Sequence, residues 1–577
     1  MKLSRITVAV IAVLGAGLGA GMASSAFALD LYMDKKTKQL YAEPGPGRER
    51  LGSFKKVDDA PAESAAKTVT AESPPVPRDR SAAMREKMAG ARLLNDVAVL
   101  QEHVKEIEKV HMKFDDRGLH FETKDGNFSM SWNGRLQAAS QYNFINEVDP
   151  NTPYLVGSTS TASLPNELNS GMNIRRARLG AEGTFMKIFD YKFEYDFSRG
   201  NGSVGSGITD AFVRMNQTNA LSYKLGSFKE PFSLEEAASN RYLTFIERHM
   251  SVNAFVDNPN TYKTGIGANY AIPRWQTGWA FMTEPIGAWS AASTSVNANG
   301  NQSRNNGSGD SGWEAIGRIS GRPWMQDETH FVHVGASAGH TDVNNQYKSD
   351  GTFQGAGGTG GGGGMAFFAF PGTNVDRTNM LNTGNLTHGN VGAANQVRID
   401  SYDRMAAELW LNHGPWSAQG EYLRTNLNGL GYTGEHLTGA YGFLSYFLTG
   451  ESKAYHVRNG AANRIRPRQP FQWSKNGGWG AWEVAAGYDY IDMNSGIVKG
   501  GSAKMARIGL NWYPHSNVKW QANIQHVLDV NTAGTPRNET STTGSPNTGF
   551  SGGAGARTNG FHNADLTVFM TQLQVDF

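Results

Sequence analysis

The chain has no cysteine among its 577 residues, so neither a disulfide framework nor a thiolate-held metal is available to it. Proline is scarce as well, 21 residues against 69 glycines, a balance that suits many strands, turns and loops. After the N-terminal leader described below there is no apolar run of the roughly 20 residues that a membrane-crossing helix needs. An excess of either charge is missing too: 54 Lys and Arg stand against 52 Asp and Glu, a formal net charge of +2. Losing Lys2 and Arg5 with the leader leaves the remainder close to neutral. Any charge selectivity must then come from where charges sit rather than from their sum, and no nucleic-acid partner is expected. Mean hydropathy is −0.46, which a membrane barrel can show because lipid-facing residues alternate with polar ones along each strand.

Signals for a cofactor or a metal are weak. The glycine-rich run Gly357 to Gly364 is not followed by Gly-Lys-Ser/Thr, so it reads as the tip of a long loop and not as a phosphate cradle. His330 and His333 are near each other in sequence but point to opposite faces of a candidate strand. No cofactor and no metal site is expected.

What is present begins with a leader. Lys2 and Arg5 form a basic n-region, Val8 to Ala20 an apolar h-region, and Ala26-Phe27-Ala28 a cleavage box. Residues 1–28 therefore read as a secretory signal peptide; a retained helix would need a longer apolar run. Residues 29–80 are polar, with Pro61, Pro74, Pro75 and Pro77, and read as a linker. Its first part, Leu31-Tyr32 to Leu40-Tyr41, suits a small hairpin. Over 81–112 the pattern turns helical: Leu93, Val97, Leu100, Val104 and Ile107 follow the 4-3-4-3 spacing of a coiled-coil seam. Three heptads are marginal alone, so a short coiled coil supporting an oligomer stands beside a single amphipathic helix as alternatives.

From 113 to 577 the hydrophobic period is two. Phe128, Met130, Trp132, Leu136, Ala138, Tyr142 and Phe144 share one face, and Ser129, Ser131, Asn133, Arg135, Gln137 and Gln141 share the other. Such a run is long for a soluble sandwich and right for a tilted spanning strand. Similar segments lie at 127–144, 172–185, 188–198, 208–216, 221–228, 263–272, 276–284 and 312–321. The second half adds 328–340, 401–412, 416–425, 435–449, 479–491, 502–513, 517–530 and 565–577. Short turns follow the even-numbered segments, at Met186-Lys187, Gln217-Thr218-Asn219, Pro273-Arg274, Arg322-Pro323, His413-Gly414-Pro415 and Pro514-His515-Ser516. Connections after odd-numbered segments are mostly longer. The implied fold is all-β: a transmembrane antiparallel β-barrel of about sixteen strands, with short turns on the periplasmic side. Residues 450–478 break the rule; either a long turn stands there or two more strands do, giving eighteen. The ending Leu573-Gln574-Val575-Asp576-Phe577, with its terminal Phe, is usual for bacterial outer-membrane barrels.

At 171–262 the text becomes recognisable. Arg175-Arg176-Ala177-Arg178-Leu179-Gly180, Tyr191-Lys192-Phe193-Glu194-Tyr195-Asp196-Phe197 and Gly226-Ser227-Phe228-Lys229-Glu230-Pro231-Phe232 resemble the phosphate-selective porin O and P family. Asn240-Arg241-Tyr242-Leu243-Thr244-Phe245-Ile246-Glu247-Arg248 and, later, Ser445-Tyr446-Phe447-Leu448-Thr449-Gly450-Glu451 continue the likeness, which covers most of 119–577. The resemblance implies a homotrimer of sixteen-stranded barrels in outer-membrane lipid, each with an inward-folded third loop, conducting small anions such as phosphate past basic side chains. Counting connections independently places the third outer loop at 229–262.

Strand phase points Arg135, Arg176, Arg178, Arg214 and Arg507 inward, and Lys229, Arg241 and Arg248 belong to the third loop. These eight are the candidates for an anion pathway, since guanidinium forks and ammonium groups replace water around phosphate oxygens. Inward acids, Glu182, Glu194, Asp196 and Asp210, with Glu230, Glu235, Glu236 and Glu247 in the loop, offer structural salt bridges as the competing explanation. Two other functions compete with a diffusion pore. An enzyme on a barrel scaffold would need a nucleophile, a base and an orienter converging on one spot, and no such set assembles from the inward positions. A structural role, tethering the envelope through 29–112, would coexist with a general pore.

Overall fold

Strict alternation leaves each strand with one apolar and one polar face, and the chain buries the polar one. The computed structural model describes residues 110–115, 118–147, 168–199, 207–257, 262–283, 312–343, 367–383, 386, 397–474, 477–532 and 561–577, the helical residues 91–92, 95–96 and 98–99, and the backbone of 29–34, 40–41 and 48–54. The signal peptide lies outside the described residues, as do all five residues of the coiled-coil seam, Leu93, Val97, Leu100, Val104 and Ile107.

Sixteen antiparallel strands form a closed wall. They are β1 (Phe128–Glu147), β2 (Gly171–Phe185), β3 (Phe189–Asp196), β4 (Ile208–Asn216), β5 (Leu221–Lys229), β6 (Tyr262–Ala271), β7 (Trp275–Met282) and β8 (Trp313–Asp327). The second half supplies β9 (His330–Asp342), β10 (Arg398–His413), β11 (Trp416–Leu430), β12 (His436–Phe447), β13 (Ala481–Ser495), β14 (Val498–His515), β15 (Val518–Asn531) and β16 (Asp565–Asp576). Each overlaps one segment expected from the alternation. Pairing of β16 with β1, from Asp565↔Glu147 to Asp576↔Arg135, closes the ring. At that seam Gly134 and Phe577 exchange backbone hydrogen bonds of 3.0 and 3.1 Å. The Phe577 ring lies within 2.5 Å of where a Cβ on Gly134 would stand, so only glycine admits it.

Two boundaries differ from expectation, and one open alternative is decided. Arg322-Pro323 is not a turn: β8 runs through it with a register shift between Gly321 and Trp324, and turns at 328–329. A bulge tolerates the proline because no ladder donor is required there. The helix expected to reach 112 ends earlier, since Val110–Asp115 pairs with Gly118–Thr123, which itself pairs with β1 below the seam. The long connection after β12 is real; it holds only a small hairpin, Tyr455–His456 with Ala461–Ala462, so the count is sixteen and not eighteen. Apart from the barrel, Leu29–Asp34 pairs on one edge with Leu40–Tyr41 and on the other with Arg48–Phe54, giving three strands within the stretch read as a linker.

The result is inside out. Leu225, Ile266, Leu444 and Ile508 point outward and are more than half exposed, while Arg322, Arg404 and Arg507 rank among the largest fully buried side chains. An exterior of that kind is stable only where the surrounding medium is hydrocarbon. Trp275, Trp279, Trp324 and Trp416 are exposed near the turn end, where an interfacial aromatic girdle sits.

Candidate functional site

Among the described residues three segments enter the barrel and leave a cavity along one wall. The third loop, 230–261, carries Phe232, Leu234, Phe245, Ile246, Met250, Val252 and Phe255, all buried. An apolar strip of this kind cannot face water, so it packs on the far wall, with Phe245 edge-on to Phe443 and His249 stacked on Tyr441 at 3.8 Å. Its backbone polar groups find partners on strands of the second half. Glu421 on β11 accepts from the backbone N–H groups of Leu234 (2.9 Å) and Glu235 (2.7 Å), capping the single helical turn Leu234–Ala237. Asp489 accepts from Met250 N (2.8 Å), Asn523 from Ile246 N (2.8 Å), and Asn511 donates to the Thr244 carbonyl (2.9 Å).

Buried charges tie down the root of the loop. Glu230 accepts a bidentate pair from Arg404 at 2.8 and 2.9 Å and an ammonium from Lys263 at 2.7 Å, and Glu314 is shared by the same two cations. At the other side Arg175 grips Glu247 at 2.5 Å. Burial alone would raise the Glu247 carboxyl, but Arg175 and Arg176 bring it down to about 2. Glu236 behaves in the opposite way: burial pushes it above its ordinary range despite Arg248 and Lys229.

From the turn end, the connection after β12 also reaches into the lumen. Arg318 on β8 donates to the carbonyls of Asn459 (2.6 Å) and Gly460 (2.8 Å) while its guanidinium is paired with Glu408 at 2.7 Å. Gln276 donates to the Tyr455 hydroxyl (2.8 Å), and Arg464 reaches Asp576 at 2.6 Å. A third segment, around the small hairpin Phe368–Ala369 with Leu381–Asn382, sits near the loop end, where Asp376 accepts from Asn169 N at 2.7 Å.

Between these inserts and the wall lies a cavity of about 820 Å³, lined by β1 to β8, the third loop and residues 456–459, with no contribution from β9 to β16. Nine Lys and Arg side chains face five carboxylates on it. A smaller polar cavity of about 90 Å³ adjoins, lined by Arg175, Arg176, Arg178, Lys229, Arg248 and Arg377 against Glu236 and Asp257.

Of the eight residues expected on the path, Arg135, Arg178, Arg214, Lys229 and Arg241 line the large cavity, and Arg176 and Arg248 the small one. Arg507 does not: it is spent on Asp489 (2.7 Å) and the Glu247 carbonyl (3.0 Å), holding the loop in place. Phase predicted its inward direction correctly, but the insert covers it. The others differ in how far they are neutralised. Arg178 holds Glu194 at 2.6 Å and Asp196 at 2.8 Å, Arg214 is bound to Asp190, Lys229 to Glu236 at 2.6 Å, and Arg248 to Glu236 at 2.7 Å. Arg241 is held loosely, 3.9 Å from Glu194 and 3.7 Å from Asp576, and Arg176 donates to the neutral Gln137 at 2.9 Å. Lys192, Lys224, Arg318 and Arg458 also line the cavity. The alternation of β3 and β5 already carried the signal for the two lysines, whereas Arg458 becomes visible only once its segment is known to fold inward.

A family model described as phosphate-selective porin O and P matches residues 161–544. Porin O of Pseudomonas aeruginosa is 27% identical over 419 residues, which cover 70% of this chain and 84% of that protein. An uncharacterized protein of Caulobacter vibrioides is 24% identical over 377 residues, 64% of this chain and 65% of its own length. Among solved structures, an anion-selective porin from Comamonas acidovorans is 10% identical, with 78% of this chain and all of that chain covered at a TM-score of 0.42, a likeness too slight to bear on what passes. The family match spans well over half of the sequence and agrees with an inside-out wall of sixteen strands: the chain belongs to the phosphate-selective porin O and P family and is a porin of the bacterial outer membrane.

Proposed function

We propose that the protein is a passive diffusion pore that prefers anions, phosphate among them, and that it works as a homotrimer as its family resemblance implies. The observation that carries the reading is the lining of the large cavity, where nine basic side chains outnumber five acidic ones. In a narrow passage with low-dielectric walls such an excess raises the local anion concentration and excludes cations. Lys229, Arg241, Arg248, Arg135, Arg176, Arg178 and Arg214 form the path, with Arg241 and Arg176 the readiest to exchange partners for a solute. No bond is made or broken: the anion trades hydration for guanidinium and ammonium donors and trades back on leaving.

The test is the reversal potential of the purified porin in a planar bilayer under a KCl gradient, followed by added phosphate. A chloride-favouring potential with phosphate reducing the current is the expected result, and Lys229→Gln or Arg241→Gln weakens that block severalfold. A cation-favouring potential overturns the reading. An unchanged block in both variants removes these two residues from the path.

A further inference from the structure

The turn-side part of the large cavity has a chemistry that bare phosphate does not use. Phe212 on β4 and Phe228 on β5 point into the lumen with ring centroids 6.3 Å apart and planes at 80°. Phe228 rests on Gly267 of the adjacent strand, where a Cβ would come within 3.0 Å of its ring, so the wall is relieved to seat it. Pro231, Gly278 and Val457 continue the apolar surface. Above both rings stands the Lys224 ammonium, 5.2 Å from each centroid. Among the described residues no carboxylate lies within ion-pair distance of Lys224, whereas Arg178, Arg214, Lys229 and Arg318 are each tied to one. A barrel lumen is ordinarily polar, and the partly buried Phe212 ring, backed by the buried Phe228 and lying beneath an unneutralised cation, leaves both an apolar surface and a charge to be matched.

We infer that this place is a subsite for organic anions bearing an aromatic or apolar group, such as aryl phosphates and aromatic carboxylates, with Phe212 as the shelf, Phe228 as its buried backing and Lys224 as the charge. The inference rests on the anion-pore reading above. Inorganic phosphate, compact and strongly hydrated, gains nothing from the shelf. An aryl anion places its ring on Phe212 and its charge on Lys224, removing apolar surface from water and keeping the ion pair in a partly desolvated setting. Arg214 and Arg458 line the same region and add to the field.

The experiment compares phenyl phosphate with methyl phosphate as blockers of chloride current through the full chain in planar bilayers. The two carry the same charged group and differ in the ring. Phenyl phosphate is expected to block at a concentration lower by at least about fivefold, the scale of a ring contact in a partly desolvated site. In Phe212→Leu that ratio falls toward one while methyl phosphate is unaffected, and in Lys224→Gln both blockers weaken. Equal block by the two esters in the unaltered protein overturns the inference without need of any variant, as does a ratio that survives Phe212→Leu. A cation-favouring reversal potential would instead fail the anion-pore reading itself, so the two failures are told apart.

Discussion

The inserts that narrow the barrel from its two ends are held in different ways. The third loop is fastened by a buried charge cluster at Glu230, by strand side chains that pair its backbone, and by a continuous apolar strip from Phe232 to Phe255. The segment 448–480 has smaller apolar contacts, Ala461 with Phe331, Trp410 and the third loop's Leu234 and Leu243, and Ile465 with Phe447 and Tyr513. It depends on donors reaching its carbonyls, chiefly Arg318 to Asn459 and Gly460. Apolar packing with buried ion pairs makes a fixed wall, because removing one partner strands a charge. A segment with less apolar packing, held by hydrogen bonds to its carbonyls and by two ion pairs, Lys453 to Glu483 at 2.5 Å and Arg464 to Asp576 at 2.6 Å, is expected to open locally more easily. The expected contrast is between a rigid insert and a more yielding one.

The largest expected effect breaks the rigid side. Glu230→Gln leaves Arg404 and Lys263 sharing Glu314, and the loss of a buried carboxylate of this kind costs roughly 3–5 kcal/mol. Heat-modifiability on gels should show a lowered unfolding temperature, and single-channel conductance should rise as the loop loosens; a variant as stable and as narrow as the parent would undo the contrast. Next, Arg318→Met frees the two carbonyls and leaves Glu408 to His333, 3.2 Å away, a loss of about 2–4 kcal/mol. Hydrogen exchange should then quicken at 455–462 and stay slow at 234–256. Equal quickening in both would show that the inserts form one unit. The smallest effect is that of pH. Burial, with Arg458 nearby, lowers the His456 pKa, so the folded segment prefers the neutral ring. That contribution is complete above the ordinary histidine value and is lost as pH falls below it, because the unfolded chain takes the proton first. Glu247, held down to about 2, contributes stability that is complete above the ordinary carboxylate range and lost only as pH falls from there toward 2. Protection against exchange, taken relative to the intrinsic rate at each pH, should therefore fall between pH 7.5 and 5.5 at 455–462 alone; a matching loss at 234–256 would contradict the assignment.

Much of this was legible in the residues. A period of two places all sixteen strands and both faces of each, because the side-chain period of a strand is fixed by its geometry. The third loop could be located by counting connections. Partnership across the lumen could not: Arg507 reads as inward from Ile508 and Leu510 alone, yet whether it meets solute or loop depends on residues some 260 positions away. The same limit hid Arg458, since nothing in the run 450–478 says that it folds back into the barrel. At Arg322-Pro323 the turn chemistry was right and the location wrong, because a proline ends a ladder equally well at a bulge.

Of the described wall strands the cavity touches only β1 to β8, and the inward faces of β11, β13, β14 and β15 are occupied in holding the third loop. The wall thus divides its labour by sequence order: its cavity-facing side chains come from the first eight strands, with Arg458 folded in from the later insert, and much of the third loop's mount comes from the second half. Heredity can act on the two separately. Substitutions at Lys192, Phe212 or Lys224, which do not fasten the third loop, can retune what is admitted while Arg175, Glu230 and Glu314 keep holding it, and substitutions at Glu421, Asp489 or Asn523 can stiffen or relax the mount without altering the side chains that line the cavity. A lineage of such barrels has room to change its diet while keeping its frame.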